Sequence, residues 1–95
     1  MRDYEAMFVI KPDLDEEATG ALIGRFEELI RNGGGELEKT DKWGKRRLAY
    51  EIEGYREGYY VVIDFKAESP VAQELERVLK IADGVIRHLI VRRDE

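Results

Sequence analysis

Five cationic side chains crowd into the nine residues from Lys39 to Arg47: Lys39, Lys42, Lys45, Arg46 and Arg47, against the single acid Asp41. Among them stands Trp43, the one tryptophan of the chain. These residue types suit a particular chemistry. Ammonium and guanidinium groups hold phosphates, and an aromatic ring can stack on an unpaired base. An edge strand guarded by charge against pairing with other molecules would look the same. Composition alone divides the two readings evenly. A second basic group, Arg87, Arg92 and Arg93, lies further along.

Catalysis is harder to build. His88 is the only histidine and sits among Ile86, Leu89 and Ile90 with no serine or cysteine partner motif, so it reads as a strand residue. Asp13-Leu14-Asp15-Glu16-Glu17 has the composition of a cation site, but a calcium loop needs alternating oxygens, a central glycine and a distal glutamate. Acids in the first turn of a helix explain the cluster more simply. Gly33-Gly34-Gly35 follows a helical pattern, whereas phosphate-cradling loops precede one. With no cysteine, disulfides and thiolate metal sites are excluded. No catalytic residue, metal, cofactor or small-molecule substrate is expected.

Net charge is −5, from 16 basic against 21 acidic residues, which at first opposes a nucleic-acid partner. The charge is segregated, however. From Asp13 to Glu38 acids dominate, with only Arg25 and Arg31 opposing them, and the basic tract follows directly. Only the local surface meets phosphate, because screening confines fields to about 8 Å at physiological salt. The apolar runs are too short to span a bilayer, so no membrane partner and a cytoplasmic location are expected.

The elements that must position these residues alternate in type. Tyr4 to Ile10 reads as a strand ended by Lys11-Pro12, and Asp13 with Glu16 has the form of a capping box. Ala18, Leu22, Phe26, Leu29 and Ile30 recur at helical spacing until Asn32-Gly33-Gly34-Gly35 stops them. Leu37 to Ile52 is a long extended stretch with a bend at Gly44, and Glu53 to Gly58 reads as a hairpin connection. Tyr59 to Phe65 is the clearest strand. Ser69 as a capping hydroxyl, with Pro70 at the first helical position, then opens a second helix carrying Val71, Leu75, Val78 and Leu79, which Asp83-Gly84 ends before a last strand, Val85 to Val91.

The order is βαββαβ. It predicts one α+β domain over residues 1–95 with ferredoxin-like architecture: a four-stranded antiparallel sheet with two helices on one face, the second and fourth strands at the edges. The expected core holds Phe26, Leu29, Leu48, Tyr50, Val61, Ile63, Leu75 and Leu79. Strict alternation in the second strand sends Arg47 to the uncovered face, and Lys45 with it if the bend at Gly44 preserves parity. That face also receives Met7, Val9, Tyr60 and Val62, an apolar patch that soluble monomers avoid unless it binds something.

Two known patterns share this element order. Arg56 to Phe65 only weakly echoes the RNA-recognition motif, because Glu57 intrudes and Val61 replaces a stacking ring. A second match is far more specific. Met1-Arg2 with Tyr4-Glu5, the block Trp43-Gly44-Lys45-Arg46-Arg47-Leu48-Ala49-Tyr50 with Ile52, Gly58-Tyr59-Tyr60, and Val85-Ile86-Arg87 resemble the bacterial ribosomal small-subunit protein six family over nearly the whole chain. Many members have proline where this chain has Glu51, and many carry a C-terminal tail where this chain stops at Glu95, which puts tail-mediated contacts in doubt.

The resemblance implies a structural, non-enzymatic role in assembling the small subunit. It implies binding to the central domain of small-subunit ribosomal RNA together with ribosomal small-subunit protein eighteen. The RNA candidates are then Arg2, Trp43, Lys45, Arg46, Arg47, Arg87, Arg92 and Arg93, and the partner candidates Met7, Val9, Tyr60 and Val62. A sheet-dimerising ligand sensor leaves the basic tract unexplained. An acylphosphatase-like enzyme needs a phosphate loop where this chain has Lys11-Pro12-Asp13-Leu14-Asp15.

Overall fold

The computed structural model describes residues 1–93, with elements β1 (Arg2–Ile10), α1 (Glu16–Asn32), β2 (Glu36–Ile52), β3 (Tyr55–Ala67), α2 (Ser69–Ile81) and β4 (Val85–Arg92). The sheet order is β2-β3-β1-β4 with every neighbouring pair antiparallel, so β2 and β4 are the edges as expected. The fold is ferredoxin-like.

Alternation in the two central strands builds the core. Tyr4, Ala6, Phe8 and Ile10 of β1 and Val61, Ile63, Phe65 and Ala67 of β3 point to one face. There they meet Ile23, Phe26 and Ile30 of α1 and Leu75, Val78 and Leu79 of α2. Phe8 packs edge-on against Phe26, ring centroids 5.1 Å apart. Burial of each such side chain stabilises by about 1.5–3 kcal/mol. Leu29 is half-buried against this cluster.

Both helix starts differ from the sequence reading. Asp15, not Asp13, caps α1, its carboxylate accepting a hydrogen bond from the Ala18 amide at 2.7 Å. Asp13 instead accepts from the Tyr55 hydroxyl at 3.5 Å. The Asp15 acceptor lies three residues from its donor, the same spacing that Asp13 offers to Glu16, so sequence alone admits either. In α2 the cap residue is Glu68, which makes no side-chain capping bond, and Ser69 is already helical.

The hairpin and the second strand also differ. Glu53 and Gly54, at φ 51° and 86°, make a two-residue turn with both central residues left-handed, the geometry that matches strand twist. Residues 55–58 therefore belong to β3. Pairing runs from Arg47 opposite Glu57 to Ile52 opposite Tyr55, so Leu48, Ala49, Tyr50 and Glu51 all face the single residue Arg56. Leu48 shares the parity of Arg46, which the earlier register slip between Lys42 and Gly44 sends to the helix-free side, away from the helices. It packs with Val9 and Ile86 in a second buried cluster on the helix-free face, flanked by Ile52, Tyr55 and Tyr60. Tyr50 is 62% exposed, so neither Leu48 nor Tyr50 joins the helix-side core. Gly58 is buried beneath that cluster, where a Cβ would lie 2.2 Å from Val9 Cγ1.

Candidate nucleic-acid and partner interface

Cross-strand register defines the helix-free face row by row. Leu89 of β4 lies opposite Met7 of β1, Met7 opposite Val62 of β3, and Val62 opposite Asp41 of β2. The next row runs Arg87, Val9, Tyr60 and Gly44, and on its other side runs Val91, Glu5, Asp64 and Lys39. The face is thus apolar in the middle, cationic toward the β2–β3 hairpin and of mixed charge at the other end, where Glu5 and Asp64 lie beside Lys39 and Arg93.

Gly44 sits at φ 83°, where a side chain would be strained, and the register slips there. The slip reverses the parity that strict alternation gives. Lys45 pairs with Tyr59 on the helix side, and Arg47, two residues on, pairs with Glu57 on that same side. Arg46 is the residue that reaches the helix-free side, opposite Gly58. Its guanidinium lies 5.7 Å from the Trp43 ring, and Trp43 stacks on Tyr60 with centroids 6.2 Å apart and planes 10° from parallel. Trp43 remains 45% exposed.

Across the sheet, Arg87 donates a hydrogen bond to the Tyr50 hydroxyl at 3.0 Å, its guanidinium 5.7 Å from that ring. Tyr50 thus belongs to the charged surface rather than the core. Tyr50 shares the parity of Arg46 and Leu48, which the slip at Gly44 moves to the helix-free side and which strict alternation does not reveal. Arg93 lies 3.3 Å from Asp64 as an ion pair, although the Asp64 oxygen involved has no hydrogen-bond partner. We read this as close charge without donor alignment, a weaker contact than a full bridge. Arg2 and Arg92 lie opposite Ala67 and Tyr4, at the end of the sheet remote from Arg46. Ala67 lies nine steps along β3 from Gly58, a span of about 30 Å. The eight cationic and aromatic candidates are therefore three groups: Trp43, Arg46 and Arg87; Lys45 and Arg47; and Arg2, Arg92 and Arg93.

The apolar candidates also separate. Met7 and Tyr60 are half-buried, whereas Val9 and Val62 are 2% and 7% exposed and form the floor. Two residues beyond those candidates complete the surface: Leu89, 58% exposed, and Val91, 39% exposed. Their shared parity with Arg87 in the last strand is the signal that identifies them. His88 lies opposite Phe8, half-buried. Among the described residues no group of His, Asp and Glu could hold a metal, and no helix is long and apolar enough to cross a membrane.

Comparison with known proteins fits this geometry. A family profile described as Ribosomal protein S6 matches residues 3–92. The small ribosomal subunit protein bS6 of Moorella thermoacetica is 58% identical over 95 residues, covering all of this chain and 97% of the relative. That of Carboxydothermus hydrogenoformans is 53% identical, covering all of this chain and 99% of the relative. The crystal structure of 30S ribosomal protein S6 from Thermotoga maritima superposes with a TM-score of 0.92 at 36% identity, covering 97% of this chain and 87% of that one.

Proposed function

Since the chain belongs to the ribosomal protein S6 family, and so is a non-enzymatic component of the small ribosomal subunit in the cytoplasm, we propose that it binds the central domain of small-subunit ribosomal RNA jointly with ribosomal small-subunit protein eighteen. The observation that carries this reading is the helix-free face. Its apolar middle, with Leu89, Met7, Tyr60 and Trp43, is flanked on the hairpin side by Arg46 and Arg87.

In this reading the two partners divide that surface. Met7, Tyr60, Leu89 and Val91 take the protein, over the floor of Val9 and Val62. Tyr60, half-buried and stacked on Trp43, is the anchor. Arg46 and Arg87 at the rim, with Lys45 and Arg47 on the reverse of β2, take phosphates. Arg2, Arg92 and Arg93 offer a second phosphate contact at the far end. The acids around Asp64 lie outside the basic end and do not oppose RNA there.

Calorimetric titration with protein eighteen, followed by binding of the central-domain RNA to the pair, tests it. Tyr60→Ala is expected to weaken pairing by about 1–3 kcal/mol while the isolated fold stays intact. Wild-type affinity in that variant moves the interface off the sheet face.

A further inference from the structure

On the opposite side of β2, between that edge strand and the first turns of α1, lies a cavity of about 430 Å³. Its size falls in the range of small-ligand clefts, roughly 300–1,000 Å³. Leu14, Ile23 and the ring of Tyr59 give it apolar walls, and Thr19, a buried polar residue, lines it too. Lys11, Lys42 and Lys45 complete the lining from separate parts of the chain. The two β2 lysines arrive there because the slip at Gly44 sets Lys42 opposite Val61 and Lys45 opposite Tyr59, both on the helix side.

None of the three ammonium groups is in an ion pair with a described residue. Lys39 and Lys66 on the same sheet have carboxylates at 3.3 and 3.9 Å, whereas none lies within 4.0 Å of Lys11, Lys42 or Lys45 among the described residues. Asp15 and Glu16 also line the cavity, so its charged lining is three ammonium groups against two carboxylates, with the Asp15 carboxylate turned to the Ala18 amide. Gly20 lines it as well, and nothing lies within 4 Å of where its Cβ would be. Glycine inside a helix is destabilising relative to alanine, and here no packing contact requires it. A larger side chain at Gly20 would occupy the opening.

We propose that this groove binds one nucleoside monophosphate unit, its phosphate held by Lys42 and Lys45 across from Lys11 and its base laid on Tyr59 and Leu14. A flat apolar ring beside a single anion matches walls of this kind, since base stacking on an aromatic tolerates any base while lysines hold the phosphate. The proposal rests on the RNA-binding reading above for its source, an unpaired nucleotide of an RNA strand. It places that nucleotide on the reverse of β2 from Trp43 and Arg46.

The test is amide chemical-shift mapping of the full chain with adenosine monophosphate in one arm and a short single-stranded RNA in the other. Shifts at Thr19, Gly20 and Tyr59 in either arm support the groove. Tighter binding in the RNA arm assigns the unit to a strand, and a response to the mononucleotide alone assigns it to a free nucleotide. Gly20→Leu, whose Cβ would have nothing within 4 Å, is expected to weaken the RNA arm roughly tenfold, the loss of about one base stack. Its thermal midpoint is expected at or above that of the wild type. Lys42→Gln with Lys45→Gln reads the same site through charge, lowering the salt slope by about 0.7 for each phosphate no longer neutralised. Shifts confined to Trp43, Arg46 and Tyr60 would overturn the groove and leave the sheet-face reading standing. Unchanged affinity of both variants for the mononucleotide and for the RNA overturns it equally.

Discussion

Replacing Gly58 with alanine adds one methyl group, yet it attacks the join between the sheet and its hairpin. The new Cβ would lie 2.2 Å from Val9 Cγ1 and 3.4 Å from the Ile10 carbonyl oxygen. Carbon atoms prefer about 3.5–4.0 Å, so more than an ångström must be recovered. Val9 cannot supply it by changing rotamer cheaply, because a β-branched side chain is stiff at χ1. It is also 2% exposed, wedged against Leu48 and Ile86. Overpacking of this kind costs about 1–3 kcal/mol. In a domain of this size that lowers the thermal midpoint by about 4–8 °C for each kcal/mol.

Guanidinium denaturation reports the change, with Trp43 as the fluorophore. The decisive comparison adds Val9→Ala, which removes the offending Cγ1. The double variant is expected to be more stable than the sum of the two single losses by about 1 kcal/mol or more, since neighbours in contact couple. Additive losses, or a Gly58→Ala protein within about 0.5 kcal/mol of wild type, the usual range for a bland substitution, would refute the packing described for this face.

Other expectations follow from the same geometry. Leu75→Ala and Leu79→Ala, both in the helix-side core, should each cost about 2–5 kcal/mol in chemical denaturation. Asp15→Ala should cost about 1 kcal/mol through loss of the α1 cap, and Asp13→Ala less, which the same assay ranks directly. Neutralising Arg46 and Arg47 together should reduce the slope of log K against log salt for RNA by about 1.4–1.8 if each holds one phosphate. The two hydrogen bonds from Arg77, at 2.8 and 2.6 Å, hold the Glu74 carboxyl below its ordinary titration range. A carboxylate lowered in the fold contributes its stabilisation above the unfolded pKa and loses it as pH falls through the folded one. A carbon-detected titration of Glu74 should therefore move upward in Arg77→Ala.

The central strands were legible because their signal is local. Tyr4, Ala6, Phe8 and Ile10 alternate without interruption, as do Val61, Ile63 and Phe65, and both sets face the helices. The edge strand was not, because its side-chain directions depend on irregularities that alternation cannot locate. One slip at Gly44 exchanges the faces of Lys45 and Arg46 and carries Leu48 and Tyr50 with Arg46, so that Leu48 is buried on the helix-free side and Tyr50 is exposed. Gly44 announced a bend but not its consequence for parity. The basic tract was therefore visible as chemistry while the face each charge serves was not. Leu89 and Val91 were within reach of the same alternation that placed Arg87, whereas the Tyr50–Arg87 contact joins residues whose proximity only the folded sheet creates.

The placement of β1 and β4 has a mechanical consequence. They run antiparallel, with Tyr4 opposite Arg92 and the Arg93 amide bonded to the Asp3 carbonyl, so the beginning of one strand and the end of the other meet at the same end of the sheet. Tension applied through Arg2 and Arg93 would load that ladder one rung at a time, as a zipper, rather than shearing all rungs together. β4 has a hydrogen-bonded neighbour on one side only. A molecular machine pulling from β4 would peel that strand first, at low force, and open the edge of β1 together with the side of α2 that packs on β4.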